Sequence, residues 1–225
     1  MPITIGTGIA IGGGISVVEG PAPPGPPPTV VGQAYGGGFY AGQIGISSVA
    51  THYLVIAPLS SGQSTLEWKN ARTTTPGADS NDNGVQNTAD MVADGSSTVY
   101  PSAHFCNDLS TGGQTDWYMP AKNELDICYF NLKPTTQTNG GPPGSGINPN
   151  AVPARASSYT AGNPAQTSAA AFQFGGSEAF TAAFYWCSTE YATTTSRAQS
   201  FSYAYQTFDY KNSSNRVRAV RKVAI

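Results

Sequence analysis

Five groups of residues have types and spacing that could do chemistry. The first is Glu190–Arg216, "EYATTTSRAQSFSYAYQTFDYKNSSNR", which mixes aromatic rings with Ser, Thr, Asn and Arg. Tyrosine brings contact area at low entropy cost, and Ser and Asn bring adaptable hydrogen bonds, as in antibody paratopes. Aromatic rings also stack on sugar faces. Tyr191, Arg197, Tyr203, Tyr205, Phe208, Tyr210 and Asn212 are therefore the candidate ligand contacts, set against ordinary polar loops with half-buried tyrosines. The second group is Asp79-Ser80-Asn81-Asp82-Asn83-Gly84, which fits the first half of a calcium loop, with Asp90 at the twelfth position where Glu is usual. Asp79, Asn81, Asn83 and Asp90 would be the oxygen ligands. The preceding "RTTTPGA" cannot be an incoming helix, so an Asx-rich turn competes with this reading. The expectation is at most one weak structural calcium and no other cofactor.

The other three groups bear on catalysis. His52 and His104 are the only histidines, neither lies in a nucleophile motif, and neither GxSxG nor HExxH occurs. Glu124 and Asp126 are two apart on a predicted helix and do not face each other. Cys106, Cys128 and Cys187 form no CxxC or Cys/His cluster. An odd, low count argues against a disulfide framework. Buried thiols are the default, with one disulfide and a free thiol as the alternative. The chain reads as non-enzymatic.

Several elements must position these groups. "HYLVIAPL" (52–59) predicts a strand with a buried centre. "SAHFCNDL" (102–109) and "AKNELDICYFNL" (121–132) predict helices. In the second, Leu125, Cys128, Tyr129 and Leu132 recur at i, i+3, i+4 and i+7, and Pro120 stands just before it. Residues 133–170, rich in Pro, Gly, Asn, Thr and Ala, read as a long excursion. "FYWCSTEY" (184–191), "AQSFSY" (198–203) and "NRVRAVRKV" (215–223) read as strands, with "AYQTFDYKNSS" as a loop between the last two. This order makes the class α+β.

The N-terminal region differs. Residues 3–20 divide into three hexads, ITIGTG, IAIGGG and ISVVEG, followed by the proline-rich spacer 21–29 and a globular domain over 30–225. Ile3, Ile5, Ile9, Ile11, Ile15 and Val17 would line one side of a strand. So short a segment cannot bury that side alone, which predicts docking to other chains. No basic region precedes the hexads, so a secretory signal is not expected, and they are too short and interrupted to insert in a membrane. Charged residues are only 11 % of the 225, and net charge is -2, so nothing in the composition points to a nucleic-acid partner, and none is expected.

Four blocks in fixed order, "GGGFYAGQIG...HYLVIAPLSSGQSTLEWKN", "DWYMPAKNELDICYFNL", "YWCSTEY" and "NRVRAVRKV", resemble the C-terminal domain of Lcl-type collagen-like adhesins, over roughly Gly36–Val223. The resemblance implies a C-type-lectin-like fold: short helices on small antiparallel sheets, chain ends close together, and a long loop region as binding face. It implies that Trp117, Tyr118, Leu125, Tyr185, Trp186, Phe201 and Val217 are core. One departure stands out. The family favours Ser where this chain has Ala121, so an S-x-x-E capping box keeps Glu124 and loses its hydroxyl, at a cost of about 1 kcal/mol. The sugar-chelating calcium motifs of animal C-type lectins are absent.

Anchor, stiff spacer and lectin-like head are laid out like a phage tail-fibre or baseplate protein. The expectation is a virion protein, assembled in the host cytoplasm, whose head recognises a host surface receptor, a glycan or a protein. Its N-terminus would bind virion proteins, and the chain would be a homo-oligomer, trimer favoured. The alternatives are a structural virion or capsid-decoration protein, and a bacterial surface adhesin.

Overall fold

The reason "HYLVIAPL" is apolar without alternation is that its strand is covered on both faces. In the computed structural model, which describes residues 26–225, Leu54 and Ile56 enter one hydrophobic cluster and Val55 another. The strand is β3 (Val49–Ile56), one of nine: β1 (Ala34–Tyr35), β2 (Gly38–Ile46), β3, β4 (Gln63–Glu67), β5 (Phe184–Ala192), β6 (Thr195–Ser200), β7 (Gln206–Tyr210), β8 (Ser214–Arg218) and β9 (Val220–Ala224). The helices are α1 (Leu59–Gly62), α2 (Gly84–Asp94), α3 (Pro101–Asn107) and α4 (Lys122–Leu132). The architecture is α+β. The six hexad positions from Ile3 to Val17, and residues 21–25 of the spacer, lie outside the described residues.

Two sheets form, in the orders β1-β2-β3-β9 and β4-β8-β5-β6-β7. The first and last strands of the described chain thus share a sheet. The turn between β2 and β3 is Ser47-Ser48, both with left-handed φ (50° and 65°), the handedness that two-residue hairpins need. One hydrophobic cluster surrounds α4 and contains Tyr118, Leu125, Tyr185 and Phe201; the other contains Trp68, Trp117, Trp186 and Val217, with α2 and α3 against it. All seven expected core residues are buried. The indoles are satisfied inside: Trp68 Nε1 donates to Cys187 O at 2.9 Å, and Trp186 Nε1 to Leu66 O at 3.1 Å.

Four sequence expectations are corrected. The strand at 52–59 starts earlier and stops at Ile56, where Pro58 and the turn of α1 follow. "NRVRAVRKV" is two strands: the chain leaves the second sheet at Arg218 and enters the first at Val220. Ala219 is the crossing point, donating to Gly62 O and accepting from Ala57 N. The strand placed at 198–203 runs instead over Thr195–Ser200, and "AYQTFDYKNSS" contains β7, paired along its length with β6. In addition, residues 84–94, where no element was expected, form α2.

α4 is buried on all sides, more than its single apolar stripe suggests. Glu124 and Asp126 have no exposed surface. Glu124 Oε2 accepts from Ala121 N at 2.8 Å, the surviving half of the capping box. Its other oxygen accepts from Tyr118 Oη at 3.1 Å and meets Lys222 Nζ at 3.0 Å. Burial nevertheless holds the Glu124 carboxyl above its ordinary range, with Lys222 opposing. Asp126 ties the excursion 133–170 to the helix. It accepts from the Arg155 guanidinium, the Tyr159 hydroxyl, Asn148 Nδ2 at 2.6 Å and, from β7, Gln206 Nε2 at 3.0 Å.

Candidate ligand-binding face

Pairing of β6 with β7 decides which candidate residues meet. The register sets Thr195 opposite Tyr210, Arg197 opposite Phe208 and Gln199 opposite Gln206. Alternation then puts Arg197, Gln206, Phe208 and Tyr210 on one face of the sheet. Tyr191, near the end of β5, joins them. Its ring stacks on Phe208 with centroids 4.4 Å apart and planes 13° off parallel. The Arg197 guanidinium lies 4.3 Å from the centroid of the same Tyr191 ring. Beside this stack, Arg72 covers Tyr210 at 3.7 Å and donates through Nε to Asn212 Oδ1 at 2.8 Å.

Five of the seven candidates therefore form one surface, with Tyr191, Phe208 and Tyr210 each about half exposed. Tyr203 and Tyr205 do not join it. They flank Ala204, which takes a left-handed φ of 69° in the turn from β6 to β7, at the opposite end of the strands. Both are exposed there, beside Gly140, whose N–H donates to Tyr203 O at 2.9 Å.

Arg72 and Lys122 belong to the face and were not among the sequence candidates. Arg72 lies more than a hundred residues from Tyr210, so nothing local announces the pairing. Lys122 opens α4 and lines, with Arg197, Gln206 and the turn Pro142–Ser145, a cavity of about 200 Å³. Burial pushes the Lys122 ammonium pKa down. Asp126 opposes that shift, while Arg197 and Arg155 reinforce it.

The calcium-loop match has a different structural meaning. Gly84 is the first residue of α2 and is absent from the positive-φ glycines, so it does not make the turn of a calcium loop. It is Gly for closeness: a Cβ there would stand 2.4 Å from Glu124 Oε2 and 2.7 Å from Ala121 N. Asn83 is the N-cap of α2, its Oδ1 accepting from Gln86 N at 3.3 Å. Asp90 lies inside the helix, where its Oδ1 accepts from Gln86 Nε2 at 2.8 Å. Asp79 and Asn81 are exposed in the turn before it. The four proposed ligands are thus shared between a turn, a cap and a helix face. Among the described residues no cluster of three or more His, Cys, Asp or Glu side chains is placed to hold a metal ion.

The thiols are buried and His104 is engaged. All three cysteines are free and buried. Burial raises each thiol pKa, that of Cys187 to about 12, which makes them poor nucleophiles. His104 Nε2 lies 2.8 Å from Gly95 O. His52 on β3 is held below the ordinary imidazole range by burial and by the Lys222 charge. Among the described residues no helix is long and apolar enough to cross a membrane. Comparison of the chain with protein families, curated proteins and solved structures returns no match.

Proposed function

We propose that the domain is a non-enzymatic recognition head that binds a host-surface receptor, a glycan or protein, through the β5–β6–β7 face. The observation that carries this reading is the half-exposed Tyr191–Phe208 stack with Arg197 against it. Exposed aromatic rings cost solvation unless something covers them, and aromatic residues with Arg are the types enriched where partners bind. The stack is also held in place, so little side-chain freedom remains to be lost on binding. A C-type-lectin-like identity for the head is supported by the four ordered sequence blocks and by the α+β arrangement of short helices with two small sheets. The hexads and proline spacer support attachment to a larger particle, a phage virion in this reading.

The test is adsorption of the labelled full-length chain to whole bacterial cells and to immobilised bacterial polysaccharides. Tyr191→Ala/Phe208→Ala is expected to reduce binding at least about tenfold, the effect of losing one hot spot of a few kcal/mol. Unchanged binding by the double variant would remove this face from the receptor site. Deletion of residues 2–20 is expected to abolish incorporation into particles and to leave adsorption intact; a deleted chain that still assembles refutes the anchor.

A further inference from the structure

Of the eleven Lys and Arg side chains, Arg72 donates to Asn212 Oδ1, Arg216 on β8 has no acceptor among the described residues, and the other nine divide by what they touch. Lys69, Arg155, Lys211, Arg218, Arg221 and Lys222 each have a carboxylate partner. Lys133 donates to the carbonyls of Gln137 and Pro164. Arg197 has no hydrogen-bond acceptor among the described residues; its Nε is buried without a partner, and the guanidinium lies over the Tyr191 ring. Lys122 Nζ has one long contact, Asn123 Oδ1 at 3.4 Å. Both line the same cavity of about 200 Å³. A partly buried cation normally finds an anion or several acceptors. Here two such cations converge, and neither has found one.

We propose that this cavity is an anion site that takes the carboxylate of an acidic sugar, so that the receptor is a uronate-bearing glycan. The proposal deepens the recognition reading and rests on it. Three features choose this ligand. Guanidinium presents parallel N–H groups in a planar fork that matches a carboxylate, and a neighbouring ammonium adds a point charge. Asp126, whose charge acts on Lys122, is already held by Arg155, Tyr159, Asn148 and Gln206 and makes no contact with either cation. The cavity adjoins the Tyr191–Phe208 stack through Arg197, and both rings are about half exposed, so a sugar ring carrying the carboxylate would lie beside exposed aromatic surface. Ser145 adds a hydroxyl at the wall: its Oγ accepts from Gln206 N at 3.3 Å and keeps its own proton to donate. The backbone of α4 plays no part, because Lys122 N already donates to Thr189 Oγ1 at 3.0 Å and Asn123 N to Asn81 O at 2.7 Å.

The experiment titrates galacturonate, galactose and inorganic phosphate into the full-length chain, with binding read by ligand-observed NMR. Galacturonate is expected to bind; galactose is expected at least about tenfold more weakly, the factor that a lost charge-assisted hydrogen bond implies, and phosphate more weakly because it has no ring to cover the aromatic surface. Arg197→Ala and Lys122→Met are each expected to weaken galacturonate at least about tenfold, with the thermal transition retained as the check on folding. Lys122→Met decides the matter if Arg197→Ala fails to fold. Tyr191→Ala is expected to weaken both sugars and leave phosphate unchanged. Equal binding of galactose and galacturonate overturns the proposal, as does equal binding of phosphate, which would mark an unspecific anion hole. Galacturonate binding that survives both charge substitutions also overturns it. If no galacturonate binds while cell adsorption still depends on Tyr191 and Phe208, the acidic-sugar proposal falls and the recognition reading stands. Galacturonate binding with adsorption indifferent to Tyr191 and Phe208 leaves the anion site standing and removes both the recognition reading and the site's role in it.

Discussion

Arg218 and Arg197 belong to the same sheet and live in opposite circumstances. Arg218, in β8, is fully buried with each of its three nitrogens donating: Nε to Ala57 O at 3.0 Å, Nη1 to Glu178 O at 2.8 Å and Nη2 to Glu178 Oε2 at 2.7 Å. It ties the core end of the second sheet to the segment before β5. Arg197, in β6, is propped on one aromatic ring and makes no hydrogen bond among the described residues. Residue type alone therefore does not separate a structural arginine from one available to a ligand. The difference lies in whether the fold returns an acceptor to each N–H. Where it does, the cation specifies packing; where it leaves donors open at a cavity mouth, the cation can still be satisfied by something from outside.

The largest expected effect sharpens that contrast. Arg218→Ala strands the Glu178 carboxylate and should cost about 3–5 kcal/mol, as removing one partner of a buried pair does. Arg197→Ala loses one cation–π contact and should cost about 0.5–1 kcal/mol. Urea denaturation of both variants measures the difference, and equal losses would erase the distinction. The N-terminus of α4, which carries Lys122, is a half-satisfied case. Ala121→Ser supplies the missing hydroxyl for the Glu124 N–H and should add about 0.5–1 kcal/mol. No gain in the denaturation midpoint would mean that this buried position cannot aim the hydroxyl.

The smallest effect concerns a cation whose charge is spent on the fold. Lys222 is paired with Glu124, yet it and burial depress the His52 pKa. The unfolded chain then takes up this proton near pH 6.5, and the folded chain only at lower pH. Stability contributed by His52 is full above about pH 6.5 and declines as pH falls toward the folded pKa. His52→Gln should flatten that part of the profile between about pH 6.5 and 5, read from melting temperatures across the range. An unchanged profile would show that His52 is solvated as in the unfolded chain.

Much of the fold could be read without coordinates because it is written in local periodicity. The apolar spacing of Leu125, Cys128, Tyr129 and Leu132 predicts α4, and the aromatic run at Phe184–Tyr191 predicts β5; both elements form there. The misses share a cause. α2 was hidden because Asp79–Gly84 carries turn chemistry that serves equally as a helix cap. β7 was hidden because "QTFDY" is short and polar, and is a strand only by pairing with β6. The candidate face was half legible: its residue types point to recognition, while its membership depends on register. Tyr203 and Tyr205 have the right chemistry and sit at the wrong end of the hairpin.

By itself the sequence determined the class of elements, the buried aromatics and the chemical character of the stretch from Glu190 to Arg216, since periodicity and composition act over a few residues. Only tertiary structure decided which charges are consumed and which are left open. Arg155 reaches Asp126 across 29 residues and Arg72 reaches Tyr210 across more than a hundred, whereas Arg197 and Lys122 converge on one cavity and find no carboxylate. Charge satisfaction is a property of three-dimensional neighbours, and chain order does not carry it.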